Sequence, residues 1–171
     1  MATENELAKD ARDQLSLVLS FFPRVDAKLS TILAVDIAML ATMSAAVPSF
    51  HQITAAAACA AVLTAILMAL SFFNLYRGGF PNTEGGHSSV IYFRDIASRN
   101  EARFLEDYGA CSSETLRADL LAQVWRNSVI LHNKYRHLKH AFVFMALALC
   151  PWAVALVTFT VLKQGLNVVV K

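Results

Sequence analysis

Apolar positions along the chain change their period several times. Across residues 3–22 they recur at helical spacing: Leu7, Ala11, Leu15, Val18 and Phe22 share a stripe, and Glu4, Lys9, Asp10, Arg12 and Asp13 fall elsewhere. That pattern predicts an amphipathic helix. It reads as a packing helix; a membrane-surface helix is the alternative, although its polar face would normally be richer in Lys and Arg. Pro23 should stop this helix or kink it into the next segment. Leu29 to Val47 then forms an apolar run of about nineteen residues with one charge, Asp36, long enough to cross a ~30 Å hydrocarbon core. Residues 48–52 make a short turn, and Ile53 to Leu75 is a second run with no charge. The two runs predict a transmembrane hairpin. Ala34, Ala38, Thr42 and Ala46 on the first, and Ala57, Ala61, Ala65 and Ala69 on the second, form small-residue ridges that let helices pack closely.

Residues 76–95 are punctuated by Gly and Pro and read as a loop. Helical period resumes at about 94–108 and breaks at Gly109 to Ser112. It restarts with Ser113 as N-cap and Glu114 in the first turn. From there Leu121, Val124, Ser128, Leu131, Tyr135, Leu138 and Phe142 alternate at spacings of three and four, a seam that continues into the apolar run Ala141 to Leu162. One helix therefore should carry the chain into the bilayer, with Pro151 kinking it.

The expected fold is all-α: three transmembrane helices and a cytosolic helical module formed by the N-terminal helix and the region between spans 2 and 3. The boundaries are an amphipathic helix at 1–28, the hairpin at 29–76 with spans 29–47 and 53–75, a cytosolic helical region at 77–140, a third span at 141–162, and a tail at 163–171. Composition strengthens this picture, since 56% hydrophobic residues exceed what a soluble domain usually carries. The net charge of +2 offers no dense basic face, so nucleic acid is not an expected partner. Cys59, Cys111 and Cys150 share no metal or redox spacing. No secretory signal peptide is expected, because the first apolar run follows a mixed-charge helix and lacks a cleavage pattern.

Lys and Arg placement sets an expected orientation. Lys9, Arg12, Arg24 and Lys28 precede the first span, none lies at 48–52, and nine between Arg77 and Lys139 precede the third span. The N-terminus and residues 76–140 should face the cytoplasm, and the C-terminus the opposite side.

Candidate chemistry is sparse. Asp36 is an intramembrane carboxylate, for which a structural hydrogen bond is the plain reading and a gating or ion-conducting role the alternative. Arg24, Asp26 and Lys28 form a boundary cluster. Lys134, Arg136, His137, Lys139 and His140 lie just outside the third span, where such clusters attract anionic head groups. His137 and His140 lack a carboxylate or thiol partner, so no metal site is expected. Gly85, Gly86, His87, Ser88 and Ser89, followed by Arg94, Asp95 and Arg99, supply amides, hydroxyls and guanidinium groups of the kind a phosphate site uses. They match no Walker loop or Rossmann fingerprint, and a linker with a helix cap is the plainer reading. No nucleophile, base and orienting acid occur together, so no enzyme is expected.

Three stretches together resemble a known family: Val25 to Leu33 opening the first span, Ser88 to Ile96 after the Gly/Pro loop, and Asn133 to Leu138 before the last span. They are similar to the transmembrane effector proteins of the Pycsar antiphage systems, over roughly residues 15–160. The resemblance implies that a pyrimidine cyclase makes cyclic UMP or cyclic CMP on infection, and that this protein responds by impairing the bacterial inner membrane, giving abortive infection. The phosphate would then fall to Arg94 and Arg99 with Ser88 and Ser89, the ribose hydroxyl to Asp95, and base stacking to Tyr92 or Phe93. Arg24, Asp26, Lys28, Arg77, Lys134, Arg136 and Lys139 would couple the sensing region to the spans, with Asp26 pairing Arg77, Lys134 or Lys139.

Three spans do not enclose a pore, so a homo-oligomer in the lipid bilayer is expected, its copies responding to ligand through differential affinity of two assemblies. Two alternatives remain open at this point: a non-sensing membrane scaffold that docks a soluble partner, and a small ion or proton carrier using Asp36.

Overall fold

The computed structural model describes residues 4–80 and 88–169, with side chains of Asn5, Phe50 and residues 165–169 left aside. The expected phosphate nest at Gly85 to His87 lies outside the described residues. The chain is all-helical, 88% helix with no strand among the described residues. In order it runs α1 (Glu4–Ser20), α2 (Phe22–Ala46), a 3₁₀ turn (Phe50–Gln52), α3 (Ala55–Gly79), α4 (Phe93–Ala97), α5 (Glu101–Gly109) and α6 (Ser113–Val169).

The helical run is interrupted at Pro23 as expected, α1 ending at Ser20 and α2 starting at Phe22. Pro23 is the second residue of α2, where an N–H has no helical acceptor to lose, and the break falls just before it at Phe21. Two expected helix boundaries shift. The period at 94–108 is interrupted at Ser98 to Asn100, because the Asn100 side chain accepts from the Arg103 N–H and starts a new helix. The cap of α6 is Ser112 and not Ser113: the Ser112 hydroxyl accepts the Thr115 N–H at 3.1 Å.

The chain divides into two compact units. A charged unit comprises residues up to Val25 with Phe80–Asn133; an apolar unit comprises Asp26–Gly79 with the chain from Lys134 on. In the charged unit α1 buries Ala11 and Val18 of its predicted stripe, with Leu7, Leu15 and Phe22 half-buried and the charged positions outside. α1 is thus a packing helix, since its apolar stripe is already covered by protein. Leu120 of α6 joins this core.

Three helices, α2, α3 and α6, are long and apolar enough to cross a membrane. Within the apolar unit α2 buries Leu29, Ile32, Asp36 and Met39, at spacings of three and four. α6 answers with Leu138, Ala141, Met145, Ala148, Ala155 and Phe159. The predicted seam holds in part: Leu138 is buried and Val124, Ser128 and Leu131 are half-buried, whereas Leu121, Tyr135 and Phe142 are exposed. Small Ala141, Ala148 and Ala155, all without accessible surface, let the backbones approach, and the large side chains turn outward. Between the helices Met39, Met68 and Ala148 form a core with Leu40, Leu67, Phe72 and Trp152 around it. Of the predicted ridges, Ala57 is buried, whereas Ala34, Ala38, Thr42, Ala65 and Ala69 face outward.

Candidate functional site

Asp36 has no accessible surface. Ser71 of α3 donates from Oγ to Asp36 Oδ2 at 2.6 Å and also approaches the Ala141 carbonyl oxygen of α6 at 3.2 Å. One hydroxyl therefore ties three helices, at the end of the spans nearer Lys28 and Lys139. Asp36 Oδ1 is buried with no hydrogen-bond partner. This geometry is that of a sealed structural bond. Sequence reasoning singled out Asp36 but missed Ser71; the signal was its helical spacing from Thr64 and Gly78, seven residues to either side on the buried face of α3.

Further ties register the same helices. Asn74 donates to the Leu70 carbonyl, which orients its Oδ1 toward His137 Nδ1 at 3.1 Å and makes that ring nitrogen the donor. Burial first, then the charges of Arg136, Arg77 and His140, hold His137, just outside the third apolar run, below its ordinary imidazole value. Trp152 donates from its indole to the Met39 carbonyl at 3.0 Å, and Lys163 donates to the Ala45 carbonyl at 2.8 Å. Lys163 thereby caps the C-terminal end of α2, where carbonyls lack helical donors and a cation is favoured. None of these three cross-helix contacts was read from the sequence.

The boundary cluster is partly assembled. Asp26 pairs with Lys134 at 2.7 Å, one of the three partners anticipated for it. Gly78 brings α2 and α6 together: a Cβ there would sit 3.2 Å from His137 Cβ and 3.3 Å from Leu29 Cδ2. Lys28, Arg77, Arg136 and Lys139 are exposed. Arg24, in the charged unit, lies with its guanidinium carbon 5.2 Å from the Phe21 ring centre.

In the charged unit the loop residues of the expected ligand site turn their polar atoms on one another. Ser88 takes a left-handed backbone with φ 64°, unusual for a residue with a Cβ. Ser89 is 4% exposed. Its hydroxyl donates to Asp119 Oδ2 at 2.8 Å and accepts from the Ile91 and Tyr92 N–H groups and from Gln123. Its own N–H goes to Asp95 Oδ2, and the Val90 N–H to Asp119. Ser89 and Asp95 thus fix the loop from both sides. Asp119, Gln123 and Arg126 complete this node, thirty and more residues away in sequence and unmarked by any local motif.

Tyr92 and Phe93 lie with ring centres 4.9 Å apart, and Arg94 is exposed in α4. Arg99 reaches Asp107 at 3.5 Å, an acid it shares with Arg103. Arg126 approaches Asp119 at 4.0 Å. Arg99 Nη1 and Arg126 Nε are buried N–H donors without an acceptor in the protein.

Three long apolar helices with polar atoms sealed between them, in a chain that also carries a charged helical unit, define an all-α membrane protein. A family model described as the Pycsar effector protein domain matches residues 10–161, and the chain belongs to that family. Comparisons with curated proteins and with solved structures returned no match.

Proposed function

We propose that the protein is a membrane effector of bacterial antiphage defence that responds to a cyclic pyrimidine mononucleotide, cyclic UMP or cyclic CMP, by impairing the inner membrane. It acts without enzymatic chemistry of its own, downstream of a pyrimidine cyclase, and the result is abortive infection. The charged unit and the N-terminus face the cytoplasm, and the C-terminus faces the periplasm, as the Lys and Arg distribution requires.

The observation that carries this reading, beside family membership, is the pair of orphaned donors, Arg99 Nη1 and Arg126 Nε. A buried guanidinium nitrogen without an acceptor is costly, and an anionic oxygen removes the cost. Both lie in the unit that carries Tyr92 and Phe93, whose rings offer a base a flat apolar face. Ligand binding shifts the population between two assemblies of copies. The exposed stripe Leu121, Trp125 and Val129 on α6 supplies contact surface for that assembly, at helical spacing of four.

The same stripe would serve a non-sensing scaffold that docks a soluble partner, and ligand binding separates the two. Calorimetric titration of the full chain in detergent should show heat with cyclic UMP or cyclic CMP and none with linear UMP or CMP. Arg99→Gln should weaken binding about tenfold or more. Vesicles carrying the protein should leak only with the cyclic ligand. A chain that binds neither cyclic nucleotide, and leaks alike with and without them, sinks the sensing reading and leaves the scaffold.

A further inference from the structure

In the apolar unit α2 and α6 run parallel, as the ties Asp26–Lys134, Met39–Trp152 and Ala45–Lys163 require. Between them opens a groove of 430 Å³. Its walls change character along the helices. Its lining includes Lys28, Tyr135 and Lys139, which carry two ammonium groups and a phenol, and the hydrocarbon residues Ile32, Leu138 and Phe142. Phe142 is 55% exposed and Tyr135 36%.

The charge in this groove is uncompensated. No carboxylate lines it, and the nearest on α2, Asp26, is taken by Lys134. Neither Lys28 nor Lys139 forms an ion pair among the described residues, and both are exposed. Thr31, also in the lining, turns its hydroxyl back to the Ala27 carbonyl, which leaves the two ammonium groups and the Tyr135 hydroxyl as the side-chain donors the lining residues offer. Lys28 immediately precedes the first apolar run and Lys139 stands two residues before the third, which puts both at the level where lipid phosphates lie.

We propose that this groove seats one anionic glycerophospholipid. Its phosphate sits between Lys28 and Lys139 with Tyr135 donating to it, and an acyl chain follows Ile32, Leu138 and Phe142 away from the boundary. A wholly apolar occupant, a neighbouring helix included, would leave two ammonium groups without counter-charge beside hydrocarbon. A zwitterionic lipid would bring its own cation toward them. An anionic head group on a hydrocarbon chain satisfies both halves of the groove.

The test is lipid retention by the full chain, purified in detergent and followed by native mass spectrometry with phosphatidylglycerol or phosphatidylcholine at equal mole fraction. The wild type should retain one phosphatidylglycerol in preference to phosphatidylcholine. Lys28→Gln with Lys139→Gln should weaken that retention about thirtyfold, roughly fivefold for each lysine lost. Lys28→Arg with Lys139→Arg, which keeps the charge, should restore it, and Phe142→Ala should weaken both lipids alike. Lys9→Gln with Arg12→Gln removes the same charge from α1 and should change nothing. Three results would overturn the site: equal retention of both lipids, retention unchanged in the double glutamine variant, or full displacement of the lipid by glycerol phosphate or a cyclic nucleotide. The last would mark a soluble-anion site with no use for the chain.

Discussion

In the apolar unit the side chains turned outward are Ile37, Val62, Ile66, Val154 and Val157, all more than half exposed, while Asp36, Thr64, Ser71 and Asn74 lie inside. In the charged unit Ala11, Val18 and Leu120 lie inside and most acids and arginines of α1 and α5 outside, next to exposed apolar side chains such as Leu105, Leu121 and Trp125. The interior exception there is the node around Ser89 and Gln123. The contrast teaches what fixes each structure. Between helices in lipid there is little hydrophobic gain on association, so close backbone approach and a few polar ties decide register. In water, apolar burial holds the helices, and polar groups are spent on shaping one loop.

The largest effect should come from breaking close approach. Gly78→Leu would drive a branched side chain into His137 and Leu29, already 3.2 and 3.3 Å from an added Cβ, and should destabilise the apolar unit by ~3 kcal/mol. Gly79→Leu is the matched control, because a Cβ there meets nothing within 4 Å. Thermal unfolding in detergent should separate the two adjacent variants. If both unfold alike, close packing is not what registers α2, α3 and α6.

Next comes the loop node. Asp119→Ala removes the acceptor of the Ser89 hydroxyl and the Val90 N–H and should cost about 2 kcal/mol, confined to the charged unit. Hydrogen exchange should rise at residues 89–92 and stay unchanged in α3. An equal rise in α3 would show that the two units do not hold their structure by separate means.

What could be read beforehand follows the same contrast. The three spans were legible because an apolar run of about twenty residues with at most one charge has few other uses, and the stripe of α1 because amphipathic period is local. The buried face of α6 was read in part: Leu138 lies on it, but Leu121, Tyr135 and Phe142 were taken for it because they carry more hydrophobicity than Ala141 and Ala148, and size, not hydrophobicity, sets helix contacts in lipid. The break at Ser98 to Asn100 was written in an ordinary capping residue and overlooked. The links from Ser89 to Asp119 and from Lys163 to Ala45 join distant segments, and no periodicity encodes them. Of the expected ligand residues, Ser89 and Asp95 proved to shape the loop, whereas Arg99 kept an unsatisfied donor; a sequence carries no mark of that difference.

A smaller effect tests the sealed bond between Asp36 and Ser71. Ser71→Ala leaves Asp36 without any partner and should cost ~1–2 kcal/mol. Pairing it with Asp36→Leu should recover most of that loss, because an apolar pair needs no hydrogen bond. Asp36→Asn should preserve whatever membrane activity the protein shows. A proton or ion carrier would instead lose activity with Asp36→Asn, so retained leakage from vesicles removes that reading.

The smallest effect belongs to the Asp26–Lys134 pair. Its geometry is short at 2.7 Å, but Asp26 is 51% exposed, so water screens most of the attraction. A double-mutant cycle with Asp26→Asn and Lys134→Met should give a coupling of about 0.5 kcal/mol at low salt, shrinking toward zero near 1 M as the screening length falls to about 3 Å. Lys134, at 13% exposed, should lose more than Asp26 on substitution, because its aliphatic stem is packed as well as its charge. A coupling above about 2 kcal/mol, insensitive to salt, would mean that the boundary is dry. The pair would then rank beside Gly78 as a determinant of helix register.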